Sequence, residues 1–137
     1  MSTKVFLDSN ILVYAHDAAS PDKQRLSRDV IAQLADSGSG VISTQVMQEF
    51  FVASTRRLGV PPLAAKAVLK TLNVFEIVQV SPELIHDAID CALLNSLSFW
   101  DSLILSAAAS AGCNSVYTED LNDGQVILGV EIKNPFA

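Results

Sequence analysis

A short apolar run, Val5-Phe6-Leu7, ends on a carboxylate at Asp8 and gives way at once to the helical spacing of Ile11, Leu12 and Ala15. Few folds accept that order. A buried strand that passes directly into a helix belongs to an α/β sheet, and its carboxyl end opens on the crevice where such sheets bind ligands. Asp8 stands at that end. The simpler reading is that Asp8 or Ser9 caps the next helix.

The same alternation continues along the chain. Ser20-Pro21-Asp22 starts a helix expected to run to about Ala35, with Leu26, Val30, Ile31 and Leu34 on one face. Asp36 to Gly40 stops it, and Val41-Ile42-Ser43 reads as a second strand. Thr44 is placed to cap a third helix with Val46, Met47, Phe50, Phe51 and Ser54 inward, broken by Gly59-Val60-Pro61-Pro62. A fourth helix carries Leu63, Ala67, Val68 and Leu72. Val74 to Val80 has the alternation of a strand. Ser81-Pro82-Glu83 opens a helix with Leu84, Ile85, Ala88, Ile89, Ala92 and Leu93 expected inward. Phe99 to Ala111 is apolar on nearly every side and reads as a central buried helix. Ser115-Val116-Tyr117 is another strand, and Val126-Leu128 with Val130-Ile132 supplies a short terminal one. Strands alternating with helices predict a mostly parallel sheet covered on both faces, a three-layer α/β/α sandwich in one domain spanning residues 1–137.

At 137 residues, half of them apolar, the chain can bury a real core. No apolar run reaches membrane-spanning length, and Met1 to Lys4 lacks the features of a signal peptide. Cys91 and Cys113 have no metal-type spacing and read as small apolar core residues. These features together predict a cytoplasmic protein with no membrane association. The net charge of −6 argues against free, salt-driven binding to nucleic acid. The charge is unevenly spread. Residues 44–73 carry four basic side chains against Glu49 alone, whereas residues 74–137 carry nine acids against Lys133 alone. A modest basic patch therefore accompanies an acidic C-terminal half.

Three further acids fall at places comparable to Asp8. Asp101 follows Ser98 at the spacing of a capping box, at the start of the apolar helix. Glu49 lies within the third helix with apolar neighbours, Val46 and Ala53, one turn away; solvent or Arg56 is its simpler partner. Asp120 follows the strand Ser115–Tyr117 as Asp8 follows the first, with Glu119 and Asp123 as alternatives in an acid-rich loop. Two like charges about 4 Å apart repel by roughly 4 kcal/mol at an effective dielectric near 20. If these acids converge, they must bind protons or a divalent cation. Oxygen ligands without His or Cys favour Mg²⁺ or Mn²⁺, ions suited to phosphoryl chemistry. A phosphotransfer receiver or an aspartate-nucleophile phosphatase fits less well. Asn10 stands where such a phosphatase needs a second Asp, and Tyr117 to Asp123 offers a receiver no Lys.

Phe6-Leu7-Asp8-Ser9-Asn10-Ile11-Leu12, Gln48-Glu49-Phe50, Phe99-Trp100-Asp101-Ser102-Leu103-Ile104 and Tyr117-Thr118-Glu119-Asp120-Leu121 resemble, in order, the successive motifs of the PIN-domain nucleases, nearest to the VapC-like toxin branch. The resemblance covers essentially the whole chain. It implies a PIN fold and Mg²⁺- or Mn²⁺-dependent hydrolysis of RNA phosphodiester bonds. It assigns the metal and its attacking water to Asp8, Glu49, Asp101 and Asp120. Asp123 enters as an alternative fourth acid, and Asn10 and Thr118 as hydrogen-bonding supports. Arg56 and Arg57 are candidates for holding substrate phosphate. A homodimer is also implied, as is a small antitoxin that inserts a basic side chain among the acids. A binding module that keeps the fold without turnover is the competing expectation.

Overall fold

The computed structural model describes residues 3–137. The element order is β1 (Val5–Leu7), α1 (Ser9–Tyr14), α2 (Pro21–Ser37), β2 (Gly40–Ser43), α3 (Thr44–Arg57), α4 (Pro62–Thr71), β3 (Glu76–Val78), α5 (Pro82–Asn95), α6 (Phe99–Ser110), β4 (Ser115–Tyr117), β5 (Val126–Ile127) and β6 (Val130–Lys133). The strands form one sheet in the order β3-β2-β1-β4-β6-β5, parallel throughout except for the β5–β6 hairpin. Helices cover both faces, giving the three-layer α/β/α architecture.

Every residue of β1 and β2 is buried, as a central parallel strand requires. Between β1 and β4 the strand order reverses direction, since β2 lies on one side of β1 and β4 on the other. That reversal leaves a crevice at the carboxyl ends of the two strands. Leu7 pairs with Tyr117, so Asp8 and Thr118 emerge side by side on that edge. The buried core joins Phe6, Leu7, Ile11, Ile42, Phe50 and Leu105 into one cluster. α6 is buried from Ser102 to Ala108, in accord with its all-round apolar sequence.

Several local expectations are corrected. Ser43, not Thr44, caps α3, accepting from the Val46 N–H at 3.3 Å. Thr44 instead accepts from the Val80 amide and fixes the strand exit before α5. Val74 ends a 3₁₀ turn, and only Glu76–Val78 pairs as a strand. α2 runs two residues past Ala35 and stops where Gly38 takes a left-handed φ of 68°. Ile85, Ile89 and Leu93 face outward, Leu93 with 78% of its surface exposed, as does Leu63. The reason is that α5 lies in an outer layer and packs mainly on α6. Only its narrow Leu84, Ala88 and Cys91 stripe is covered. The C-terminal segment forms two strands, turned at Leu128 and Gly129, both with positive φ. Two consecutive residues of positive φ match the twist of a tight hairpin.

Candidate active site

Asp8 is 6% exposed, and both its carboxylate oxygens are held. The Ser9 N–H donates to Oδ1 at 2.7 Å and the Thr118 hydroxyl to Oδ2 at 2.8 Å. Asp8 is therefore a helix cap and a crevice carboxylate at once. Burial pushes its pKa up to about 6; the Thr118 and Ser9 bonds pull the other way, and the charges of Glu49 and Asp120 push it up further. No Lys or Arg among the described residues pairs with it.

Thr118 is fully buried at the end of β4 and joins three groups. While its hydroxyl donates to Asp8, its oxygen accepts from Asn10 Nδ2 at 3.2 Å and from the Asp120 amide at 3.1 Å. Asn10 Nδ2 also donates to Asp120 Oδ2 at 3.0 Å. The two acceptors fix the Asn10 amide orientation, which leaves its buried Oδ1 without a partner. Asp8, Asn10, Thr118 and Asp120 thus form one connected network.

Glu49 reaches the same edge from α3. Ser9 Oγ donates to its Oε1 at 3.1 Å, and Gln45 Nε2, one turn earlier on α3, donates to its Oε2 at 3.3 Å. Gln45 is 4% exposed and also donates to the Trp100 carbonyl at 3.2 Å, tying Glu49 to the start of α6. Its Oε1 is a second stranded acceptor. Arg56 makes no ion pair with Glu49, though the two share a shallow groove on α3.

Asp101 follows Trp100 in the first turn of α6. Ser98 caps that helix by accepting the Asp101 N–H at 3.1 Å, so the expected cap is present. The Asp101 carboxylate accepts no side-chain hydrogen bond among the described residues, which leaves both oxygens available. Asp123 is drawn elsewhere: its Oδ1 accepts from the Asn134 amide at 2.8 Å and braces the chain beyond β6.

The crevice therefore gathers Asp8, Glu49 and Asp120 through shared polar partners, and Gln45 links them to the helix that carries Asp101. Among the described residues no three His, Cys, Asp or Glu side chains stand close enough to clasp a single ion. In chemistry the donors still suit a hard cation: they are all oxygens, and the buried Asp8 faces like charges without a cationic partner.

Three participants, Gln45, Tyr14 and Lys23, lie outside the sequence motifs, and Ser9 lies inside one without an assigned role. Ser9 and Gln45 read as routine helix polars, and only folding shows both oxygens of Glu49 held by them. Tyr14 and Lys23 converge on Glu119: the Tyr14 hydroxyl donates to Oε1 at 2.5 Å and Lys23 Nζ to Oε2 at 2.8 Å. Burial works against an ionised Glu119, yet the Lys23 and Tyr14 bonds hold its pKa below the usual carboxylate range. A signal for Tyr14 existed, since it sits four residues after Asn10 on α1 and shares its face.

Comparison with solved structures gives close matches in fold. A toxin–antitoxin complex from Klebsiella pneumoniae matches with a TM-score of 0.73 at 18% identity, over 96% of this chain and 98% of that one. VapBC2 from Rickettsia felis, bound to a DNA fragment from its promoter, gives 0.70 at 20% identity over 96% and 98%. VapC20 from Mycobacterium tuberculosis, a Sarcin-Ricin loop cleaving toxin, gives 0.64 at 19% identity over 85% and 92%. No curated protein matches the sequence. The PIN domain model matches residues 5–122, most of the length, and the chain belongs to the PIN domain family.

Proposed function

We propose that this protein is a metal-dependent endoribonuclease that hydrolyses RNA phosphodiester bonds, and that it serves as the toxin of a toxin–antitoxin pair. The observation that carries the reading is the placement of Asp8. It is a buried carboxylate with both oxygens fixed, beside Glu49 and Asp120 and without a cationic partner among the described residues. Asp8, Glu49, Asp101 and Asp120 would hold Mg²⁺ or Mn²⁺, and Asp123, occupied at Asn134, is left as a loop brace. Such an ion supplies charge stabilisation at phosphate and a more acidic bound water.

The chain's own groups do the positioning. Thr118 orients Asp8, Asn10 holds Asp120, and Ser9 with Gln45 sets both oxygens of Glu49. Arg56 and Arg57, at the end of α3, are the groups to meet substrate phosphate. The toxin assignment draws on the toxin–antitoxin neighbours. A small antitoxin is the expected inhibitor here, with a basic side chain to meet the acids that lack a cationic partner among the described residues. The exposed Ile85, Ile89, Leu93 and Leu94 on α5 support a homodimer. No helix is long and apolar enough by itself to cross a membrane among the described residues, and the cytoplasm is the proposed location.

The test is cleavage of a mixed RNA pool by purified protein with Mg²⁺, with Mn²⁺ and with chelator, beside Asp8→Asn. Metal-dependent cleavage that disappears in Asp8→Asn is the expected result. A second reading, a binding module without turnover, draws on the absence of three clasping acids among the described residues. Intact RNA under every condition, with no rise in melting temperature on adding metal, would favour it.

A further inference from the structure

Beside the acid network lies a polar cavity of about 360 Å³, walled by α1, the turn after it, the end of α3 and the loop after β4. Its volume falls within the range of small-molecule sites, roughly 300–1,000 Å³. It shares Asn10 and Asp120 with the network, so an occupant would abut the acids directly.

The wall is built before any ligand arrives. Asn10 and Tyr14, one turn apart on α1, both bond to the loop after β4, at Asp120 and Glu119. Lys23 from α2 locks Glu119 and lies 4.7 Å from the Tyr14 ring centre, and Phe136 packs edge-on to that ring at 5.2 Å. Three charges lining the cavity have no ion-pair partner among the described residues: Arg57, the half-buried Asp17, and Asp120, whose one side-chain donor is Asn10. Asp17 Oδ1 takes the Ala19 amide at 3.1 Å and keeps a second lone pair, and Oδ2 accepts from no donor among the described residues.

We infer that this cavity is a subsite for one nucleotide next to the scissile phosphate, with guanine the preferred base. The inference rests on the ribonuclease reading and names which part of the RNA the protein holds. A guanidinium on one wall fits a phosphate. Carboxylates on the other accept N–H groups and offer no donors when ionised. Among the four bases, guanine alone presents two adjacent donors, N1–H and N2–H₂, that a carboxylate can take together. Uracil offers one, and adenine and cytosine place an acceptor beside their amino group.

The probes are the four nucleoside 5′-monophosphates, titrated one at a time onto metal-free protein in chelator and followed by amide NMR shifts. GMP is expected to shift Tyr14, Asp17, Ser20 and Leu58 at lower concentration than AMP, CMP or UMP. Arg57→Gln, an exposed substitution, should weaken GMP roughly tenfold. Leu58→Trp, which fills the cavity, should abolish the shifts. Asp17→Asn should erase the preference for GMP and leave a weak response to all four. Absence of shifts at these residues with every nucleotide, or shifts that survive both Arg57→Gln and Asp17→Asn, would overturn the subsite. So would a response to arginine amide and to no nucleotide, since the cavity would then fit a basic protein side chain. The two readings fail separately. GMP-selective binding without RNA cleavage would remove the ribonuclease and leave the cavity as a nucleotide site with no scissile phosphate beside it. Cleavage whose positions ignore Asp17→Asn, with no nucleotide shifts, would remove the subsite alone.

Discussion

Replacing Asp8 by asparagine should make the metal-free protein more stable near neutral pH. Burial pushes the Asp8 carboxyl up to about 6 in the folded chain, from an ordinary value of 3.8. The folded state therefore holds this proton more tightly than the unfolded state does. The stability it confers is present below the unfolded value and is lost as pH rises through the folded one. Two units of pKa correspond to about 3 kcal/mol, a ceiling on the penalty at neutral pH. Asn removes the charge but spoils one bond. Ser9 N–H and Thr118 O–H both donate to Asp8, and an amide has only one oxygen to receive them. Thr118 cannot easily turn to accept, since its oxygen already takes Asn10 and the Asp120 amide. That loss costs about 1–1.5 kcal/mol. The net gain is about 1–2 kcal/mol, or roughly 4–7 °C for a chain of this length. Melting of both proteins by circular dichroism in chelator, from about pH 4 to pH 8, measures it. The gain should be full above about pH 6.5 and fade towards pH 4. A variant that melts at or below wild type throughout, or a difference that ignores pH, would refute the reasoning. Saturating Mg²⁺ should reverse the order, because a ligand present at 100 times its Kd adds about 2.7 kcal/mol to the protein that binds it.

Asp101→Asn should abolish cleavage with a change in stability within about 0.5 kcal/mol, because Ser98 retains the cap; a large stability loss with intact cleavage would reduce Asp101 to a helix residue. Gln45→Met keeps the shape but releases Glu49 and the Trp100 carbonyl; kcat should fall with little change in KM, and Mn²⁺ binding read by paramagnetic resonance should weaken in parallel. Gly40→Ala should destabilise the fold by about 1–3 kcal/mol in urea melts, because the new Cβ meets the Phe75 ring across β2. Lys23→Met leaves Glu119 with Tyr14 alone, so the Glu119 pKa should rise in an NMR titration, while a partly exposed pair changes stability by less than about 1 kcal/mol.

Local sequence was sufficient wherever one residue's neighbours in the chain decide its role. The strand at Val5–Leu7, the break at Gly38, the Ser98 cap and the buried α6 all follow from period, capping chemistry and apolar content. The positions of Asp8, Asp101 and Asp120 were legible because strand ends and helix starts mark the carboxyl edge of a parallel sheet, whereas Glu49, inside α3, was marked only by its apolar neighbours. Where α5 went astray, at Ile85, Ile89 and Leu93, periodicity reported an apolar face without reporting how much of it a neighbour covers.

By itself, then, the sequence determined the alternation that compels a parallel sheet, and the strand and helix ends that carry Asp8, Asp101 and Asp120. Tertiary structure alone decided what those acids touch. Thr118 meets Asp8 across 110 positions, Ser9 meets Glu49 across 40, and Gln45 reaches Trp100 across 55. Those contacts depend on which strands become neighbours. The reversal of strand order beside β1 is a global outcome of packing six strands and six helices, and no local spacing encodes it.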